Sequence, residues 1–127
     1  MALSEKRAEL LGTLLEVGRL AFEAGLYFNA VVHWEQAWRE ELGPERRLLQ
    51  GLMQAAGAYH KLELGQATGT LKLLALAIEQ LGPLPDGFGG LRLGPFRAGL
   101  LRSRREVVAW AVGGSHPRPA PSLARAA

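Results

Sequence analysis

Four glycines, Gly25, Gly43, Gly65 and Gly82, divide the first two-thirds of the chain into segments whose apolar residues recur at helical spacing. In the first segment Leu11, Leu14, Leu15, Gly18, Ala21 and Phe22 share one face when residues are placed about 100° apart. Glu5, Glu9, Glu16 and Glu23 share the opposite face. No stretch alternates apolar and polar residues with period two for long enough to be a strand. The chain therefore has to bury helix faces against one another.

Ser4 is a candidate cap for the first helix, and Gly25 a candidate stop. A second helix is expected over residues 27–41, ended by Gly43. Pro44 suits the first turn of a third, where its missing N–H costs nothing. That third helix, running to about residue 64, has a wide apolar arc of Leu48, Leu49, Leu52, Ala55, Ala56, Tyr59 and Leu62, which predicts a central position. A fourth is expected over 66–81, with Leu71, Leu74, Ile78 and Leu81 on one face and a second strip of Leu73, Leu76 and Ala77. The Gly- and Pro-rich stretch that follows predicts no regular structure. A fifth helix is expected from about Pro95 to Val112, packing through Phe96, Leu100, Val107 and Ala111.

The fold expected is all-α: a compact antiparallel helical bundle of about four core helices plus a C-terminal helix. Residues 1–112 read as a single helical domain. Residues 113–127, "GGSHPRPAPSLARAA", read as a disordered tail, because they are Pro-rich and short of apolar anchors. At 127 residues, 48% apolar and 21% charged, the chain has enough material for a core without staples. The absence of Cys excludes disulfides and thiolate metal sites. The N-terminal stretch carries acids throughout and lacks the unbroken apolar core of a signal peptide. No run approaches the roughly 18 apolar residues of a membrane span. A cytoplasmic location without membrane contact is the expectation.

Chemistry has one candidate centre. On helix two, Phe28, Val31, Val32, Trp38 and Leu42 fall within one arc, and Glu35 falls inside it with Arg39, whereas His33 falls on the polar side. An acid on an apolar face must be paired, hydrogen-bonded or protonated. Arg39 stands at the favourable i+4 position. Helix three offers Gln50, Gln54 and His60. Glu35, Trp38, Gln50, Gln54 and His60 thus form a candidate ligand site, able to do acid–base work or to hold an amide-bearing ligand. The plainer reading makes Glu35 a rim residue paired with Arg39. His60 and Glu63 lie at the i, i+3 spacing of carboxylate metal sites in bundles. Such a site needs further acids, and Glu35 should sit nearer Gln50 and Gln54 than Glu63 in an antiparallel pair. No metal and no cofactor are therefore expected.

The stretches "GLYFNAVVHWEQAWR", "LLQGLMQAAGAYHK" and "GTLKLLALAIEQL" resemble domain-of-unknown-function family 309, small all-helical and mostly prokaryotic proteins without an established activity. The resemblance covers about residues 7–81 and rests on Trp34-Glu35, Trp38-Arg39, Gln50-Gly51-Leu52, Gln54 and His60. It implies a His-Glu pair where this chain has Val31-Val32. Any family chemistry that uses that pair is absent here.

Charge is unevenly placed. Residues 1–81 hold 8 basic and 10 acidic side chains (−2), and residues 82–127 hold 7 Arg against Asp86 and Glu106 (+5). On helix five Arg97 and Arg104 sit together, with Arg105 about 90° away and Arg102 farther round. A phosphate-binding helix gathers its arginines on one stripe. "GFGGLRLG" lacks the Lys-Ser/Thr pair of a phosphate loop.

Three readings of function remain open. The first is a non-enzymatic interaction module that self-associates through helix faces, supported by the Leu73 and Leu76 strip. The second is a small-molecule binder or enzyme centred on Glu35, Gln50, Gln54 and His60. The third is a nucleic-acid accessory protein using the arginine-rich end. The first is the expectation, with the partner protein unspecified and nucleic acid disfavoured.

Overall fold

The computed structural model describes residues 2–127 and, for side chains, residues 4–127. Five helices follow in order: α1 (Ala2–Glu23), α2 (Tyr27–Glu40), α3 (Glu45–Glu63), α4 (Ala67–Leu81) and α5 (Leu93–Ala111). No strand occurs among the described residues, and the all-α bundle expected from the periodicity is the fold observed. The turns after α1 and α3 place Gly25 and Gly65 at φ values of 78° and 74°. There a side chain would meet its own backbone, so glycine is the low-cost choice. Ser4 is not a cap, because α1 already begins at Ala2.

Successive helices pack on one another, α3 against both α2 and α4. Their order along each pair is antiparallel. Arg7 near the start of α1 meets Glu40 at the end of α2. Phe28 at the start of α2 stacks on His60 near the end of α3, ring centroids 5.5 Å apart. A methyl on Gly51 early in α3 would collide with Leu81 at the end of α4. Every residue of the expected α3 arc is buried, from Leu48 to Leu62. Phe22 ties the layers together through ring contacts with Tyr27, Trp34, Tyr59 and Phe96.

The face of α2 differs from the expectation. Ala30, Trp34 and Ala37 are its buried residues, with Tyr27, Val31 and Trp38 packed beside them. Phe28, Val32 and Leu42 are exposed. The expected arc followed the bulkiest apolar residues. The observed arc is turned so that two alanines flank one indole and let α1 approach closely. Gly18 of α1 supplies the remaining space, since a methyl there would overlap the Trp34 ring. The Trp34 Nε1–H donates to the carbonyl of Leu15 at 3.0 Å, so the deepest aromatic leaves no polar atom unsatisfied.

Two further expectations are corrected. The Gly/Pro stretch contains a 3-10 turn, Phe88–Gly90, and an isolated antiparallel bridge between Leu91 and Arg125. Asp86 organises it by accepting from the Gly87 and Gly94 amides, each at 3.1 Å. The segment 113–127 is not a disordered tail. It runs back as an extended strap along α1 and α5, with Leu123 completely buried. Its order comes from side chains on those helices that take up its backbone polar groups, which a search for helical periodicity does not register. Ala111, expected on the packing face of α5, is exposed.

Candidate functional site

The five candidate residues lie on two helices and face three directions. Glu35 is a surface acid: its side chain is 41% exposed and pairs with Arg39 on its own helix at 2.8 Å. The turn of α2 that buries Trp34 moves Glu35 to the margin of the packed face, which explains its solvation. Trp38 lies half-buried beneath the Arg46 guanidinium, 3.9 Å from ring centroid to the Arg46 carbon. That cation–π contact, with Arg46 donating to the carbonyls of Trp38 and Glu41, closes the α2–α3 turn.

On α3, His60 turns toward α2 and stacks on Phe28. Gln50 turns the other way, lining a shallow hollow with Arg47 and Gln80. Gln54 is half-buried, and its Oε1 has no hydrogen-bond partner within the protein. At helical spacing Gln54 and His60 are about 120° apart, so they cannot meet over one ligand. Among the described residues Gln50 lines one of the five best-formed surface hollows, and Glu35, Trp38, Gln54 and His60 line none of those five. Among the described residues no group of three or more His, Asp or Glu stands close enough to hold a metal ion.

The arginines of the C-terminal region are engaged within the fold. Arg97 donates to the carbonyls of Leu81 and Leu84 and so caps the end of α4. Arg102 donates to the carbonyl of Pro119. Arg118 forms a two-pronged pair with Glu106, and Arg92 lies 3.6 Å from Asp86. Glu106 is held below the ordinary carboxylate range, first by the Arg118 side chain and then by the Arg118 amide. Arg104 and Arg105 are the exposed arginines of α5.

What is left open is apolar. Phe28 is 59% exposed and Val32, one turn on, 47%. On the outward side of α3 stand Met53, Gly57 and Leu64, and a methyl on Gly57 would touch Leu73 of α4 at 3.3 Å. Leu76, one turn after Lys72, is 39% exposed. Phe28, Val32, Leu64 and Leu76 are exposed, and Met53, Gly57 and Leu73 of α3 and α4 are partly buried. The exposure of Phe28 and Val32 was not legible from the α2 arc, whereas the Leu73 and Leu76 strip was.

The buried polar pair went unread in the sequence. Tyr59 donates its hydroxyl to Ser103 Oγ at 2.8 Å, joining α3 to α5 inside the core. Burial raises the Tyr59 phenol well above its ordinary value. Ser103 sits at the same helical register as Phe96, Leu100 and Val107, and a serine within that apolar row was the available signal.

Residues 15–73 match the family model of a domain of unknown function, DUF309. No curated protein matches the chain. The matched span contains all five candidate residues and α2 and α3 entire, and ends within α4.

Proposed function

We propose, starting from the match of residues 15–73 to the DUF309 family model, that the protein is a non-enzymatic interaction module that self-associates through the outer face of α2, α3 and α4. The observation that carries the reading is the exposure of Phe28 beside Val32 on a face that continues across Gly57 to Leu76. Large exposed apolar patches mark sites of association.

Charge bears on which face can meet its own copy. A two-fold contact brings each patch against itself, so a patch of one sign opposes itself. The exposed Leu10, Val17 and Leu20 of α1 are interleaved with Glu9 and Glu16. The exposed Leu101 and Val108 of α5 flank Arg104 and Arg105. On α2 the Glu35–Arg39 pair is neutral overall, as Glu16–Arg19 is on α1, and Lys72 stands beside Leu76 on α4.

The dispersal of Glu35, Gln50, Gln54 and His60 supports a non-catalytic role. The engagement of Arg92, Arg97, Arg102 and Arg118 in internal contacts supports a role without nucleic acid. Amide chemical shifts followed on dilution test the choice of face. Changes should gather at residues 28, 32, 57, 64 and 76. Changes confined to α1 or α5 would contradict it.

A further inference from the structure

The strap is seated as a ligand is seated. Between α1 and α5 the segment Arg118-Pro119-Ala120-Pro121-Ser122-Leu123 is read residue by residue. Glu106 accepts from the Arg118 guanidinium and, at 2.9 Å, from its amide. Arg102 donates to the Pro119 carbonyl at 2.9 Å. Pro121 rests on Gly99, where any Cβ would collide with the proline ring. Glu23 accepts from the Ser122 hydroxyl at 2.8 Å and from the Leu123 amide. Arg19 donates to the Leu123 carbonyl at 3.1 Å, and the Leu123 side chain is wholly buried. The groove thus presents charged side chains to the backbone of an extended proline-rich segment, and a glycine floor and an apolar socket to its side chains. Main-chain recognition with pockets for particular residues is how peptide grooves obtain affinity and selectivity.

Two features set the strap apart from a helix of the bundle. It joins α5 through Gly113-Gly114, with Gly113 at φ 103°. It also packs incompletely where it passes α2 and α3. A hollow of about 260 Å³ remains between Tyr27, Tyr59, Leu62 and the strap at Ala120. A larger apolar residue in place of Ala120 would occupy space that the chain's own segment leaves empty.

We propose that the α1–α5 groove is a peptide-recognition site for an Arg-Pro-x-Pro-Ser-Leu segment of another protein, with a large apolar residue at x, and that the strap is its resident competitor. The tether sets the level of competition. A short flexible link gives the strap an effective concentration on the order of millimolar, so an incoming segment needs the extra contact at x to displace it. The residues that seat the strap are not those of the α2–α4 face, so the site stands or falls independently of self-association.

The test uses a labelled peptide, Arg-Pro-Leu-Pro-Ser-Leu, followed by fluorescence anisotropy against the full chain. Binding to the Leu123→Asp chain, whose strap cannot fill the socket, should be at least about tenfold tighter than to the unmodified chain. The same peptide ending in Asp should bind neither chain. Should Leu123→Asp fail to fold, a protease site placed between Gly113 and Gly114 and cut after folding keeps every residue present. The labelled peptide should then displace the severed strap, read by mass spectrometry of the retained protein. A folded Leu123→Asp chain that ignores the peptide would overturn the proposal. So would a severed strap that stays in place against about a hundredfold molar excess of the labelled peptide, since cutting removes the advantage of the tether.

Discussion

The indole of Trp34 lies over the bare Cα of Gly18, so the closest approach of α1 and α2 is set by one ring and one missing side chain. Gly18→Ala should destabilise the fold by about 1–3 kcal/mol through overpacking, even though alanine is the better helix former. Trp34→Ala should cost about 3–5 kcal/mol. Urea unfolding measures both, and a Gly18→Ala chain as stable as its parent would show that the interface relaxes freely.

The Tyr59–Ser103 bond predicts a coupling. Ser103→Ala leaves a buried hydroxyl without its partner and should cost about 1–3 kcal/mol. Adding Tyr59→Phe should recover part of that loss, because both polar atoms are then gone. A double-mutant cycle by thermal unfolding reads the coupling, and strict additivity would refute it.

The same tyrosine gives a dependence on alkali. Its folded-state pKa is raised by burial, so below the ordinary tyrosine value near 10 both states are protonated and the bond contributes in full. Above that value the unfolded chain loses its proton first, and stability should fall as pH rises. The slope above pH of about 10 should be shallower in Tyr59→Phe than in the parent.

Glu35→Ala should change stability by less than about 0.5 kcal/mol, the scale of an exposed i, i+4 ion pair. A loss several times larger in urea would mean that Glu35 supports the core rather than its rim.

Removal of residues 113–127 should lower the melting temperature, and Leu123→Ala alone should cost about 2–5 kcal/mol. Glu106 adds a pH signature. Its pKa is depressed by Arg118, so its contribution is present above the ordinary carboxylate value and is lost as pH falls through the lower, folded one. Proteolytic cleavage within the strap should therefore accelerate in acid, and less so in Glu106→Gln, whose strap is already loosened at neutral pH.

The helices were legible because each carries a period and most end at a glycine. The α3 arc, the α1 face and the glycine stops at Gly25 and Gly65 follow from spacing alone. The face of α2 did not. Phe28, Val32 and Leu42 outweigh Ala30 and Ala37 in any hydropathy sum, yet seating Trp34 over Gly18 buries the face on which the two alanines flank it. That choice depends on the neighbouring helix, and it leaves Glu35 half-buried at the rim, paired with Arg39. The strap was illegible for another reason. Its buried leucine, Leu123, is held by Arg19 and Glu23 from about a hundred residues away. Nothing within 113–127 encodes those partners. The candidate site was legible as residue types on α2 and α3 but not as a constellation, since burial rotates its members apart.

Self-association through α2, α3 and α4 is tested most directly by sedimentation equilibrium over a wide concentration range. The unmodified chain should show a mass that rises with concentration toward a defined oligomer. Phe28→Asp with Leu76→Asp should sediment as a monomer at every concentration while keeping the parent's helical circular dichroism. An unmodified chain that stays monomeric throughout, or a doubly substituted chain that associates as the parent does, would contradict the account.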